Sequence, residues 1–408
     1  MKVYLVGGAV RDALLGRPIS ERDWVVVGAT PAELTAAGFA QVGREFPVFL
    51  HPQTHEEHAL ARLERKVAPG YRGFVTEFSP DVTLEDDLRR RDLTVNAIAQ
   101  DADGNIIDPH GGQKDLAMRV LRHVSPAFAE DPVRILRTAR FAARFAPLGF
   151  TVADETLGLM RELVAAGEAN ALVAERVWKE MERAFAEPRP DVFIEVLRQC
   201  GALAVVLPEV DRLFGVPQPA TWHPEIDTGT HVLMTMRVAA DRGAAASVVF
   251  AALLHDVGKG LTPRERWPSH PGHENTGLPL IDAVCDRLRV PAEHRELARL
   301  AARFHTHVHR AAELRSATLL ELFETADAFR RPERFALLLE ACECDARGRL
   351  GLENRDYPQR ARVERALAAA TAAQLPEAER SRLSGPQIGA ALRRARLAAI
   401  EALRSSAS

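Results

Sequence analysis

The sequence predicts an α+β protein in which a mixed α/β head precedes a long all-helical remainder. Residues 1–125 contain short, valine-rich runs separated by Gly, Pro and polar turn residues, the pattern of strands. From Pro132 onward apolar residues recur at the 3.6-residue period of helices, as in Val133-Leu136-Ala139-Arg140-Ala143 and Val177-Met181-Ala184-Phe185. At 408 residues the chain exceeds what one core ordinarily serves, so several domains are expected.

Val3–Val6 reads as a strand ending in Gly7-Gly8, Val10–Leu15 as a helical turn, and Asp23–Val27 as a buried strand. Phe46–Leu50 and His58–Leu63 are further strands. A helical neck and body follows over residues 126–225, and Pro208–Thr230, with its Pro and Gly, reads as a linker with ordered turns. Histidines are spread along a second helical unit, 228–329. An alanine- and arginine-rich helical tail, 330–408, ends in a frayed Ser405–Ser408.

With 47% hydrophobic and 27% charged residues, the composition is that of a soluble globular protein. A net charge of −3 does not exclude nucleic acid, because a basic patch can be local. Arginine greatly outnumbers lysine, which suits bidentate phosphate and base recognition, although a GC-rich genome gives the same bias. Cys200, Cys285, Cys342 and Cys344 have neither a disulfide framework nor a familiar zinc spacing, and the last two read as buried small side chains. No run approaches the ~20 apolar residues of a membrane span, so a cytoplasmic protein is expected.

Leu5 to Asp12 is strand, double glycine, helix start. Glycines allow close backbone approach to a triphosphate, and Arg11 is placed to clamp a phosphate oxygen. Alone, such a turn is common in ordinary α/β domains. Downstream, Glu21 and Asp23 lie two apart at a strand start, so both carboxylates point to one side. Two acidic groups held together favour a cation between them, and a pair of Mg²⁺ ions there suits nucleotidyl transfer.

Gly7-Gly8-Ala9-Val10-Arg11-Asp12 followed by this acidic pair resembles the signature of class II tRNA nucleotidyltransferases and bacterial poly(A) polymerases. Further runs match in the family's order: Arg90-Arg91-Asp92-Leu93-Thr94-Val95-Asn96-Ala97, Asp108-Pro109 through Asp115-Leu116, Glu130-Asp131-Pro132-Val133-Arg134 and Glu175 to Glu180. The match continues through Trp222 to Asp227. The resemblance implies a polymerase-β-like nucleotidyltransferase head, with Gly8, Arg11 and Arg91 at the nucleotide and Glu21 and Asp23 as catalytic Mg²⁺ ligands. It also implies CTP, ATP and tRNA as partners. Glu21 departs from the family, which has Asp there; the added methylene must fold back to hold the same metal, and Asp23 is expected to be the stronger ligand. Glu64 is the candidate third carboxylate.

Asp131 and Arg134 lie three apart and share a helix face. A carboxylate accepts from the exocyclic amino groups of cytosine and adenine, whereas uracil and guanine present an acceptor there. The resemblance implies that this pair selects C and A. Arg137 and Arg140 continue the stripe toward the nucleotide. Without the head motifs, the same residues read as a solvated helix face.

His255-Asp256 ends a buried apolar helix, His231 precedes it, and His273 and His305 follow. This resembles the HD phosphohydrolase superfamily, which implies a divalent-metal site of His231, His255, Asp256 and a distant Asp, with Asp345 preferred over Asp327. Imidazole and carboxylate ligands suit Ni²⁺ or another transition metal. His273 and His305 are read as orienting a phosphate or binding a second metal. Arg360, Arg362, Arg365, Arg393, Arg394 and Arg396 are candidates for tRNA backbone contact, or are simply solvated. The competing readings are a poly(A) polymerase, a protein that is chiefly an HD phosphohydrolase, and a non-catalytic RNA-binding protein. A monomer or homodimer fits equally.

Overall fold

The computed structural model describes residues 1–19, 21–42, 48–66 and 74–405. The chain divides into two compact units, Met1–Val206 and Leu207–Ser408.

The first unit begins with a seven-stranded mixed sheet. Its strands are β1 (Lys2–Val6), β2 (Asp23–Val27), β3 (Ala40–Val42), β4 (Val48–Leu50), β5 (Glu57–Leu60), β8 (Ala99–Gln100) and β9 (Ile106–Ile107). They lie in the order β3-β4-β5-β2-β1-β8-β9. The expected strand over His58–Leu63 is two strands. β5 ends before Ala61, whose N–H donates to the Val26 carbonyl, and Arg62–Lys66 (β6) turns away to pair with Phe74–Phe78 (β7). The expected Phe46–Leu50 strand is observed as β4; residues 43–47 lie outside the described residues.

β2 runs antiparallel to β1 and parallel to β5. Its residues alternate between two cores. Val25 and Val27 pack with Val6, Leu88 and Ala97, whereas Val26 packs with Leu34, Phe49 and Leu60. Asp23 has the parity of Val25, so it emerges at the strand start on the Leu88 side. The turn after β1 needs glycine: Gly7 has φ +69°, and a Cβ there would come within 2.8 Å of the Arg91 guanidinium. Helix α1 (Gly8–Leu14) follows at once.

Helix α2 (Val133–Phe145) is the axis of the neck, packed against α3 (Ala174–Phe185) and the helix Pro190–Gln199.

In the second unit α4 (Thr228–Asp241), α5 (Ala246–Leu254), α6 (His273–Leu288), α7 (Ala292–His309) and α8 (Pro332–Arg347) form the core. Val248–Leu254 are each at most 1% exposed, because α5 packs against α4, α7 and α8. Burying each large apolar side chain contributes about 1.5–3 kcal/mol, which fixes α5 and the His255-Asp256 pair at its end. Gly258 lets the following turn touch α6, since a Cβ there would come within 2.1 Å of the His273 carbonyl oxygen. The segment expected to be a linker is ordered by short-range bonds: Gln218 N–H donates to the Ile226 carbonyl, and Asp227 caps α4 through Thr230 N–H at 2.7 Å. In the tail, Arg393 pairs with Glu324, Arg360 with Glu343 and Glu364, and Arg396 stacks 3.7 Å over Phe329. These three arginines thus have protein partners.

Candidate functional sites

In the head, Glu21 and Asp23 are both exposed. The protein around the Asp23 carboxylate pushes its pKa up; Arg91 opposes the shift and Glu21 adds to it. Two neighbouring carboxylates at an open strand end, beside an arginine, are a donor set that fits a divalent cation and a phosphate together. Strand β6 carries Glu64 opposite Thr76, and its side chain lies outside the described residues.

Arg11 is 3% exposed. Its guanidinium donates twice to Asp12, at 2.9 and 3.0 Å, and once to Asn96, at 2.5 Å, and lies over the rings of Phe141 and Phe145. Arg91 reaches the Asn96 carbonyl and Asp87, 3.3 and 3.4 Å away. Arg11 and Arg91 therefore brace the glycine turn on one residue, Asn96.

The acid–base stripe of the neck is already paired within the protein. Asp131 accepts from both terminal nitrogens of Arg176, at 2.7 and 3.1 Å. Arg134 donates to the carbonyls of Arg90 and Ala127, at 2.6 and 2.8 Å. Arg137 donates to Asp92 at 2.7 Å, and Arg140 to Glu180 at 2.6 Å. Burial works against the Asp92 charge, yet Arg137, Asn96 and Arg134 hold the carboxyl well below its ordinary value. Asp92 thereby ties the 90–97 segment to α2. Arg176, Glu180 and Asn96 belong to the recognised motif runs, but their contacts span 40 to 85 residues, so spacing assigned them no role.

In the second unit the histidine ligands converge. His231 Nε2 lies 3.0 Å from Asp345 Oδ1, and His255 Nε2 is 3.7 Å from the same oxygen and 3.3 Å from Asp256 Oδ2. Asp345 comes from the end of α8, beyond residue 329, while Asp327 is elsewhere, paired with Arg330. His255 Nε2 and Asp256 Oδ1 are buried without hydrogen-bond partners. Orphaned lone pairs among imidazoles and carboxylates are the donor set of a divalent-metal site, so the residues fit such an ion. Burial opposes the charge on Asp256, but Lys259 and His255 hold it well below the ordinary range; His309, His255 and Arg349 do the same for Asp345.

Two further groups steady this centre. Glu225 Oε1 lies 3.0 Å from His231 Nδ1, and His309 Nε2 lies 2.5 Å from Asp345 Oδ2. Glu225 falls in the segment read as linker, and no local pattern marks its role. A cavity of about 950 Å³ opens beside the cluster, lined among others by Trp222, Lys259, Arg349 and Tyr357. All four cysteines are buried free thiols, and burial pushes Cys344 up to about 12, so they pack rather than ligate. Among the described residues no helix is long and apolar enough to cross a membrane.

Fold and sites together define a nucleotidyltransferase-type head joined to an HD-type metal unit. Residues 3–122 match the Poly A polymerase head domain, 149–214 the probable RNA and SrmB-binding site of polymerase A, and 228–346 the HD domain. The multifunctional CCA protein of Thioalkalivibrio sulfidiphilus is 61% identical over 405 residues, 99% of each chain. That of Pseudomonas aeruginosa is 60% identical over 402 residues, 98% of each. The chain belongs to the multifunctional CCA protein family. Its fold resembles the Thermotoga maritima CCA-adding enzyme complexed with tRNA, with a TM-score of 0.62 at 18% identity over 100% of this chain and 92% of that one. It also resembles the Bacillus stearothermophilus CCA-adding enzyme in complex with CTP, with a TM-score of 0.62 at 22% identity over 98% and 89%.

Proposed function

We propose that this protein adds CCA to the 3′ end of tRNA from CTP and ATP without a nucleic-acid template, and that its HD unit hydrolyses phosphoesters at the same end. One observation carries the first part. Asp92, on the segment that places Arg91 near Asp23, is held 2.7 Å from Arg137, on the helix that begins with Asp131 and Arg134. The catalytic end and the base-reading helix are thereby coupled.

In the reaction, the 3′-hydroxyl oxygen attacks the α-phosphorus of the nucleotide. A new P–O bond forms, the α–β bridging bond breaks, and pyrophosphate leaves. Glu21 and Asp23 would hold Mg²⁺, Asp23 more strongly, with Glu64 as third carboxylate. When bound, the ions activate the hydroxyl and neutralise the leaving group. The backbone of Gly8 lets the triphosphate approach, and Arg11 and Arg91 keep its cradle in shape and positive. Asp131 accepts from the exocyclic amino group of C or A while Arg134 donates to the ring. Arg137 and Arg140 border the nucleotide.

In the HD unit, His231, His255, Asp256 and Asp345 would hold Ni²⁺ or another divalent transition metal, which supplies Lewis acidity to a phosphoester. The cavity suits a nucleotide-sized substrate. Candidate reactions are 2′,3′-cyclic phosphodiester, 2′-nucleotide and phosphomonoester hydrolysis. We place the head at 1–125, the neck and body at 126–225, the HD domain at 228–329 and the tail at 330–408. The setting is the cytoplasm, for a monomer or homodimer. The test is incorporation of CTP and ATP on tRNA lacking its CCA end. Two C and one A are expected; long A tracts without C point to a poly(A) polymerase, and no incorporation with intact hydrolysis points to a phosphohydrolase.

A further inference from the structure

Four histidines surround Asp256, and each has Nδ1 against a fixed acceptor. His231 Nδ1 is 3.0 Å from Glu225 Oε1, and His255 Nδ1 is 2.7 Å from the Ala252 carbonyl. His273 Nδ1 is 2.8 Å from the His270 carbonyl, and His305 Nδ1 is 3.0 Å from those of Ala301 and Ala302. A neutral imidazole carries one N–H, so these contacts keep the proton on Nδ1 and leave each Nε2 with a lone pair.

Two of these lone pairs meet. His273 Nε2 and His305 Nε2 lie 3.2 Å apart. Asp256 Oδ1 is 3.2 Å from the first and 3.5 Å from the second. That oxygen is without a hydrogen-bond donor, in a residue 1% exposed. Three buried electron-pair donors this close repel one another unless a cation stands among them. Lys259 does not fill that role, because its ammonium donates to the other oxygen, Oδ2, at 2.6 Å.

The spacing is that of a coordination shell. Metal–ligand bonds of about 2.1 Å place neighbouring donors about 3.0 Å apart in an octahedron and about 3.4 Å apart in a tetrahedron. The two oxygens of Asp256 also face different groups. Oδ2 lies 3.3 Å from His255 Nε2 and 3.9 Å from His231 Nε2, whereas Oδ1 faces His273 and His305. A carboxylate with one oxygen turned to each of two donor groups is placed to bridge.

We propose that the HD unit holds a second divalent-cation site, formed by Asp256 Oδ1, His273 Nε2 and His305 Nε2 and joined through Asp256 to the site of His231, His255 and Asp345. This rests on the phosphohydrolase reading and deepens it, since a cation pair grips a phosphoester through two of its oxygens. The same residues suit Mn²⁺, Ni²⁺ or Zn²⁺.

The test uses the full-length protein, stripped with EDTA, loaded with Mn²⁺ and crystallised. An anomalous difference map should show two peaks in the HD unit about 3.5–4 Å apart, one touching His231, His255 and Asp345 and the other His273 and His305. A peak at the first position alone overturns the second site and leaves the hydrolase reading standing; no peak at either removes both. In solution, an Asp23→Ala background removes the stronger head ligand. There, bound Mn²⁺ should fall from two per chain to one on adding His273→Ala with His305→Ala. A count of one before those changes, or two after them, overturns the proposal.

Discussion

In the neck, Asp131, Arg137 and Arg140 each meet a side chain of opposite charge: Arg176, Asp92 and Glu180. In the HD unit, His255, His273 and His305 meet backbone carbonyls, and His231 meets Glu225 and the Gly348 carbonyl. The partners differ because the tasks differ. A partly exposed pair such as Asp131–Arg176, with side chains 19% and 30% exposed, contributes only about 0–1 kcal/mol. An incoming base can replace Arg176 at little cost. An imidazole bonded to a carbonyl on its own helix has no such freedom, and its Nε2 is aimed before any ligand arrives.

The sharpest way to break this comparison is to remove one centre and watch the other. Asp23→Ala should lower nucleotidyl transfer by roughly three orders of magnitude, the equivalent of several kcal/mol of transition-state charge stabilisation. Hydrolysis should be untouched. Asp256→Asn, which keeps the shape facing Lys259, should do the reverse. Parallel loss of both activities from either substitution would mean one centre rather than two.

Next in size is the carboxylate behind His231. Glu225→Gln preserves volume but weakens the contact with Nδ1, and metal affinity in the HD unit should fall about 10–100-fold. Chelator competition measures it. An unchanged affinity would show that the Gly348 carbonyl, 3.1 Å from the same nitrogen, suffices to orient the ring.

The contrast also explains what was legible. Glu21, Asp23 and the His255-Asp256 doublet stand in local patterns tied to strand or helix ends, so spacing alone brought them forward. Glu225 did not stand out, because its partner His231 matters only once Asp345, 114 residues further on, closes the cluster. Arg176 and Glu180 were visible as part of a motif, yet their use depends on α3 packing against α2. The break of the His58–Leu63 run into β5 and β6 was hidden for a similar reason: the Ala61 N–H is claimed by Val26, on a strand far earlier in the chain. Periodicity reports which face is apolar, not which distant carbonyl takes a donor.

The exchangeable pairing in the neck predicts a moderate effect. Asp131→Ala should reduce the preference for CTP and ATP over UTP and GTP by about 5–150-fold, since one good base contact is worth about 1–3 kcal/mol. Competition assays with mixed nucleotides read it directly, and a retained preference would exclude Asp131 from base reading. Gly7→Ala is smaller still in free energy. The φ of +69° disfavours a Cβ by about 1–2 kcal/mol, and the Arg91 guanidinium must shift away. A lowered melting temperature should accompany weaker transfer; a drop in neither would mean the turn relaxes freely.

Glu21→Asp should have the mildest effect. Glu21 precedes β2 at an exposed position, so neither packing nor a hydrogen-bond network resists the change. The charge near Asp23 is kept, and with it the push of Glu21 on the Asp23 pKa. What changes is reach, one methylene, and Mg²⁺ tolerates little departure from octahedral geometry at about 2.1 Å. The Mg²⁺ concentration for half-maximal CTP incorporation should therefore shift by a few-fold, with the maximal rate nearly constant. Glu21→Ala, by contrast, should lower the maximal rate as well. If neither substitution moves the Mg²⁺ dependence, Asp23 works with a different carboxylate, and Glu64 becomes the one to substitute.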